Sequence, residues 1–288
     1  MIRRLLLVRF FSFSRYLLQR PCAPVMFALL AFLLGPGVVL AEEKLTIYFY
    51  NPETSINRNV VLKNTLDAYL HSQGDYQFQP VDNADVFEQL VVNDRSALFV
   101  MSSWQFEQLT TRASIVPVLR GRKEGRDTYR KLLVRDSQSK SALRLAGMTI
   151  ATSGSESYSR SILRTMFPED SAANVAKVNI LVVPKDIDAL MAVGFGLADA
   201  AMATELSLEK LSMLYRSQHQ KLEIVGQSQP LKRLLVVSPQ NPTLRLSQAL
   251  QAVEVMPESE KGRTGLSMLG LDGWQRVSTE GSLHGRSQ

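Results

Sequence analysis

The sequence contains one cysteine, Cys22, and it falls within the first 41 residues. The chain beyond it can form neither a disulfide nor a thiolate metal site. Histidine is almost as scarce. His71, His219 and His284 lie far apart, and none belongs to an HxxxH or HExxH pattern, so each reads as a surface side chain rather than a ligand. A nucleophile elbow is also missing: Gly154-Ser155-Glu156 does not form G-x-S-x-G, and no histidine is spaced to serve a serine. These absences argue against hydrolase and zinc chemistry, and neither catalysis, a metal nor a cofactor is expected.

An excess of one charge is lacking too. Lys and Arg number 33 against 27 Asp and Glu. Five of those arginines (Arg3, Arg4, Arg9, Arg15, Arg20) precede position 42, where no acid occurs, so the rest of the chain is nearly neutral. The basic pI therefore describes the leader, and no nucleic-acid footprint is expected. A long hydrophobic run is absent as well. Val25 to Leu40 is short for a bilayer span and is interrupted by Gly35-Pro36-Gly37. With an arginine-rich segment before it and Val39-Leu40-Ala41 closing it, the run predicts a secretory signal cut after Ala41, residues 1–41. An uncleaved anchor is the competing reading. Gln19-Arg20-Pro21 is a poor lipobox before Cys22. A secreted chain without cysteine beyond its leader suggests an exported bacterial protein.

What the sequence does have is an ordinary globular balance, 45% hydrophobic and 21% charged over 288 residues. Apolar periodicity predicts strands at 44–50, 76–81 and 97–101, with helices at 55–71 and 82–92 between them. Strand-like segments follow at 115–119 and 129–135, separated by a charged turn over 121–125. A second β-α-β-α-β series has strands at 149–151, 178–183, 198–203 and 222–225, and helices at 156–167, 186–193 and 207–215. A return strand at 231–237 leads into helices at 244–255 and 257–269. Two such series predict an α/β protein of two lobes: 42–130 with 232–288, and 131–231. The segments 129–135 and 231–237 cross between them as a hinge. Strand C-termini then open on an interlobe cleft, where ligands bind in open α/β sheets.

One stretch stands out: Thr149-Ile-Ala-Thr-Ser-Gly-Ser-Glu-Ser-Tyr-Ser-Arg-Ser, with serine at positions 153, 155, 157, 159 and 161. It lies where a strand turns into a helix. A helix N-terminus presents unpaired N–H groups and partial positive charge, so Ser155, Ser157 and Ser159 can be read as an oxyanion cradle or as caps and solvated serines. Gly154 permits the turn. Thr204 and Glu205, at the end of strand 198–203, are placed for the same cleft, and Asp199 reads as structural.

Several motifs carry a resemblance. Gly125-Arg-Asp-Thr-Tyr-Arg-Lys-Leu-Leu-Val-Arg-Asp-Ser137, then Leu145-Ala-Gly-Met-Thr-Ile-Ala151, Ala192-Val-Gly-Phe-Gly-Leu-Ala-Asp-Ala200 and Glu260-Lys-Gly-Arg…Leu-Asp-Gly-Trp274 occur in one order. Together they resemble the phosphate/phosphonate-type periplasmic solute-binding proteins of ABC transporters over nearly the whole chain beyond the leader. The resemblance implies a type 2 periplasmic-binding clamshell with two hinge-crossing strands. It implies that Ser157, Ser159 and the amides around Tyr158 grip the oxyanion. It brings the loops after the first and third strands, Tyr50-Asn51-Pro52 and Ser102-Ser103-Trp104, to the cleft. Trp104 has a second reading as a packed core residue.

Two departures qualify the ligand. Tyr158 and Arg160 replace small family residues; Arg160 is either a fork-shaped donor or a surface charge. Asp186 stands where the family often has histidine and an acid. An aspartate beside a bound dianion repels it unless the ligand also carries an amine. The expected partners are a small anionic or zwitterionic solute and an inner-membrane ABC permease, with the chain monomeric. The alternative is a ligand sensor that signals to a membrane kinase or regulator.

Overall fold

The computed structural model describes residues 44–54, 60–139 and 142–277. The expected leader, its cleavage site and the expected helix start at 55–59 lie outside them. Among the described residues no helix is long and apolar enough to cross a membrane, and no cluster of three metal-ligating side chains occurs.

The first sheet has six strands. β1 (Leu45–Tyr50) is followed by helix α1 (Val60–Leu70), β2 (Tyr76–Pro80), α2 (Ala84–Asn93), β3 (Leu98–Met101), α3 (Ser103–Leu109) and β4 (Ile115–Arg122). The chain then leaves through the two-residue β5 (Thr128–Tyr129). The second sheet is built from β6 (Lys131–Asp136), β7 (Thr149–Thr152), helices α4 (Glu156–Met166) and α5 (Ala172–Ala176), and β8 (Asn179–Val182). It continues through α6 (Asp186–Gly194), β9 (Ala200–Thr204), α7 (Glu205–Leu214), α8 (Arg216–His219) and β10 (Leu222–Gln227). The chain returns through β11 (Leu231–Lys232) and completes the first sheet with β12 (Leu235–Pro239), α9 (Leu244–Glu254), a 3-10 turn, α10 (Glu260–Met268) and β13 (Gly273–Arg276).

Strand order is β13-β4-β12-β3-β1-β2 in the first sheet and β10-β6-β9-β7-β8 in the second. β1 runs parallel to β2 and β3, and β7 runs parallel to β8 and β9, as short helical crossovers require. The central strands β3, β9 and β12 are largely apolar, because helices cover both faces. β3 (Leu-Phe-Val-Met) is wholly buried. β9 (Ala-Ala-Met-Ala-Thr) is buried up to Thr204. On one face Ala201 and Ala203 pack with Ala189, Leu190 and Val193 of α6; on the other Ala200 and Met202 pack with Tyr158, Ile162 and Leu163 of α4.

The expected crossing strands each split in two. Tyr129 and Leu231 pair in a small antiparallel ribbon, and β6 and β12 begin only after Arg130 and after Arg233-Leu234. One segment cannot hydrogen-bond in register to two sheets, so the ladder breaks between them. Four elements went unforeseen, one of them the single-turn α8, which buries no residue. Ser102-Ser103-Trp104 is not a loop but the start of α3, with Ser102 Oγ accepting the Gln105 N–H at 3.1 Å. α5 and the edge strand β13 are short, and their apolar signal is weak.

Candidate functional site

A cavity of about 590 Å³ lies between the two sheets. The loop after β1 supplies Asn51, Glu53 and Thr54, and the crossing segments supply Tyr129, Lys131, Arg233 and Leu234. The second sheet contributes Ser153, Pro184, Lys185, Asp186, Thr204, Leu206 and Ser207 from the C-terminal ends of its strands. Phe49, Met268, Leu269 and Leu271 give it an apolar side.

Its polar centre is the Asp186 carboxylate, the first residue of α6. Lys131 Nζ lies 3.3 Å from Oδ1 and 3.5 Å from Oδ2. Ser153 Oγ donates to Oδ1 at 2.6 Å, the Thr204 backbone N–H to Oδ2 at 2.7 Å, and Ser207 Oγ to Oδ2 at 3.2 Å. The Lys131 side chain is 2% exposed and that of Asp186 11%, so the pair is held almost out of water. Burial is the largest influence on Asp186 and would raise its pKa. The Lys131 charge and the bonds from Ser153 and Thr204 outweigh it and hold the carboxyl below the usual range.

A second carboxyl behaves oppositely. Burial pushes the Glu53 pKa up, only partly countered by the Tyr129 hydrogen bond and the Lys131 charge, with the Asp186 charge adding to the rise. Tyr129 donates to Glu53, and its oxygen lies 3.2 Å from that of Tyr158. With its one proton given to Glu53, Tyr129 accepts from Tyr158. Burial pushes both phenol pKa values well up. Arg233 stands over the Tyr129 ring, 5.6 Å from its centroid.

Of the residues singled out in sequence, Asn51, Asp186 and Thr204 line this cavity. Asn51 Oδ1 accepts the Glu53 N–H at 3.0 Å and shapes the loop. The serine run scatters, because a helix turns its residues by 100° each and alternate positions face different ways. Ser155 is the α4 N-cap, and its own N–H donates to the Pro52 carbonyl at 2.6 Å. Ser157 is exposed, with its hydroxyl 3.3 Å from that of Ser155. Ser159 is buried and donates to Thr152 Oγ1 at 3.4 Å. Ser161 accepts the Trp104 indole N–H at 3.0 Å. Only Ser153 faces the cavity. The expected cradle of Ser157, Ser159 and the amides around Tyr158 thus does not converge: Ser157 faces water, Ser159 is buried against Thr152, and the Tyr158 N–H is taken by the Ser155 cap. Gly154 serves close approach more than the turn, since a Cβ there would meet the Tyr158 ring at 2.8 Å.

The other expectations also find different partners. Tyr50 is buried 5.3 Å from the Phe87 ring. Ser103 Oγ donates to the Lys232 carbonyl at 3.0 Å. Trp104 packs edge-on to the wholly buried Tyr158 at 5.8 Å, joining the two halves rather than walling the cavity. Arg160 is a fork-shaped donor, but to its own lobe: it binds Glu156 and the carbonyls of Val175, Ala176 and Val178. Glu205 pairs with Arg130 at 3.8 Å. Asp199 is structural and accepts the Thr149 N–H at 2.8 Å. Glu53, Tyr129, Lys131, Ser153, Ser207 and Arg233 were not foreseen. One signal was present: Lys131 directly precedes the apolar run Leu132-Leu133-Val134 of β6, where a buried cation needs a partner.

Two α/β halves joined by a double crossing, with a polar cavity at the strand ends, define the periplasmic-binding-protein fold in its type 2 form. Three of the solved structures that share it illustrate the likeness. PA3383 from Pseudomonas aeruginosa, a binding protein component of an ABC phosphonate transporter, is 12% identical with a TM-score of 0.59 over 82% of each chain. PhnD1 from Prochlorococcus marinus, in complex with methylphosphonate, is 9% identical with a TM-score of 0.59, covering 83% of this chain and 94% of that one. XAC2383 from Xanthomonas citri, bound to chloride, is 15% identical with a TM-score of 0.57, covering 82% and 92%. At such identities the likeness concerns fold alone. No curated protein sequence matches. The chain belongs to the phosphonate periplasmic substrate-binding proteins of ABC transporters, whose family model matches residues 47–281. The family is normally exported to the periplasm, and its members bind small ligands as non-enzymatic partners of inner-membrane permease components.

Proposed function

We propose that this protein, exported with its leader removed after Ala41, captures a small solute in the cavity between its two sheets and delivers it to an inner-membrane permease. The solute joins a phosphonate- or phosphate-like oxyanion to an ammonium group. The observation that carries this reading is the pairing of both charge signs in one cavity: Lys131, Lys185 and Arg233 beside Glu53 and Asp186. A dianion alone would meet two carboxyls, whereas a zwitterion has a complement for each. The apolar side formed by Phe49, Leu234, Met268 and Leu269 accepts the carbon skeleton that separates the two groups.

The family membership supports delivery to a permease, and the β5–β11 ribbon is the hinge of this reading. The test is mass spectrometry of small molecules released from the purified protein, followed by calorimetry with each candidate. A zwitterionic phosphonate or phosphate ester that binds and loses affinity on Arg233→Ala is expected. A bound solute with no oxyanion, or an affinity untouched by Arg233→Ala, would overturn the reading.

A further inference from the structure

Asp186 sits in an unusual place for an acid. Four donors from three segments converge on its two oxygens: Lys131 Nζ from β6, Ser153 Oγ from the β7 end, and the Thr204 N–H and Ser207 Oγ at the start of α7. A cation, two hydroxyls and a backbone N–H are the elements of an oxyanion site. The cluster lines the interlobe cavity, and Lys131 is more deeply buried than the carboxylate it faces. The anion held there is the chain's own.

We infer that Asp186 is the resident anion of a latent oxyanion site, and that by filling it the carboxylate determines specificity, excluding bare oxyanions from this end of the cavity. The inference rests on the reading of the cavity as the ligand site and narrows the ligand class. Orthophosphate, sulfate and methylphosphonate, which have no ammonium group, are refused. A solute's oxyanion is received away from Lys131, at Arg233. Asp186 meets the solute through the edge left open to the cavity. Neutralising Lys131 internally also avoids an unpaired buried cation when no solute is present.

The test removes the resident anion. Asp186→Ala opens a carboxylate-sized space beside Lys131. Calorimetry of the variant with orthophosphate, methylphosphonate and acetate should show binding at least about tenfold tighter than in wild type, as two or more charge-assisted hydrogen bonds become available. Its melting temperature should rise with acetate or phosphate but not with chloride at equal ionic strength. Adding Lys131→Met should abolish both responses. If Asp186→Ala does not fold, Asp186→Ser, which keeps a small polar group at the helix start, carries the same test. If neither folds in plain buffer, the yield of refolded Asp186→Ala should depend on added acetate.

The inference is overturned if the variants respond to these anions no more than wild type does. It is also overturned if wild type binds methylphosphonate or orthophosphate and Lys131→Met removes that binding. Failure of the proposed function looks different: the released solute lacks an oxyanion or ignores Arg233→Ala, while the anion response of Asp186→Ala persists.

Discussion

Two helix starts in the second half of the molecule make opposite use of the same physics. The α4 start is crowded with serines, yet it is closed by the chain itself. The Pro52 carbonyl takes the Ser155 N–H, the Ser155 hydroxyl takes the Tyr158 N–H at 3.4 Å, and Ser157 faces water. The α6 start has no side-chain cap on Lys185 and no unusual composition. It nevertheless lies on the cavity and holds a buried lysine–aspartate pair. A run of one residue type says which groups are available. Only the directions of those groups say whether they converge, and a 3.6-residue turn disperses a two-residue repeat.

The comparison breaks first at Lys131. Lys131→Met leaves Asp186 buried without its cation, and should cost about 3 kcal/mol or more in a urea titration at neutral pH. Because the Asp186 pKa is held down in the folded state, the pair stabilises above the ordinary aspartate pKa, and that gain is lost as pH falls through the lowered folded value. The deficit of the variant should therefore shrink in strong acid. A deficit constant from neutral to strongly acid pH would mean that the pair is not the source of the loss.

Glu53 gives a smaller effect of opposite sign. Burial raises its folded pKa, so its contribution to stability is present below the ordinary glutamate pKa and is lost as pH rises through the raised value. Glu53→Gln keeps an acceptor for Tyr129 and removes that loss. Thermal melts should show a gain on the order of 1 kcal/mol at about pH 7.5 and none at about pH 4. Equal effects at both pH values would contradict the account.

The smallest effects lie at the serine run and sharpen the contrast. Ser155→Ala removes a cap and should cost about 1 kcal/mol of stability. Exposed Ser157→Ala should change stability by less than about 0.5 kcal/mol. Neither should alter affinity for the released solute, measured by calorimetry on the same preparations. A tenfold loss of affinity in either variant would restore the serine cradle and move the oxyanion to α4.

The sequence by itself determined the order of elements and with it the two-sheet architecture. Apolar runs such as Leu98–Met101 and small-residue runs such as Ala200–Ala203 have one stable use, as central strands covered on both faces. Local motifs, at 125–137, 145–151, 192–200 and 260–274, carried the family resemblance. The resemblance drew in Asn51 and Asp186, and the predicted end of strand 198–203 drew in Thr204; all three line the cavity. What only the tertiary structure decided is which polar groups meet. Lys131 and Asp186 are 55 positions apart, Ser153 and Asp186 are 33 apart, and Thr204 lies 18 beyond. No local pattern encodes such a meeting, because each residue alone has an ordinary surface reading and is drawn inward only when its partners desolvate with it. Secondary structure is chosen over a few neighbouring residues, so it can be read along the chain. A buried charge is tolerated only by groups brought together from several segments, so the site exists only once the sheets have closed around it.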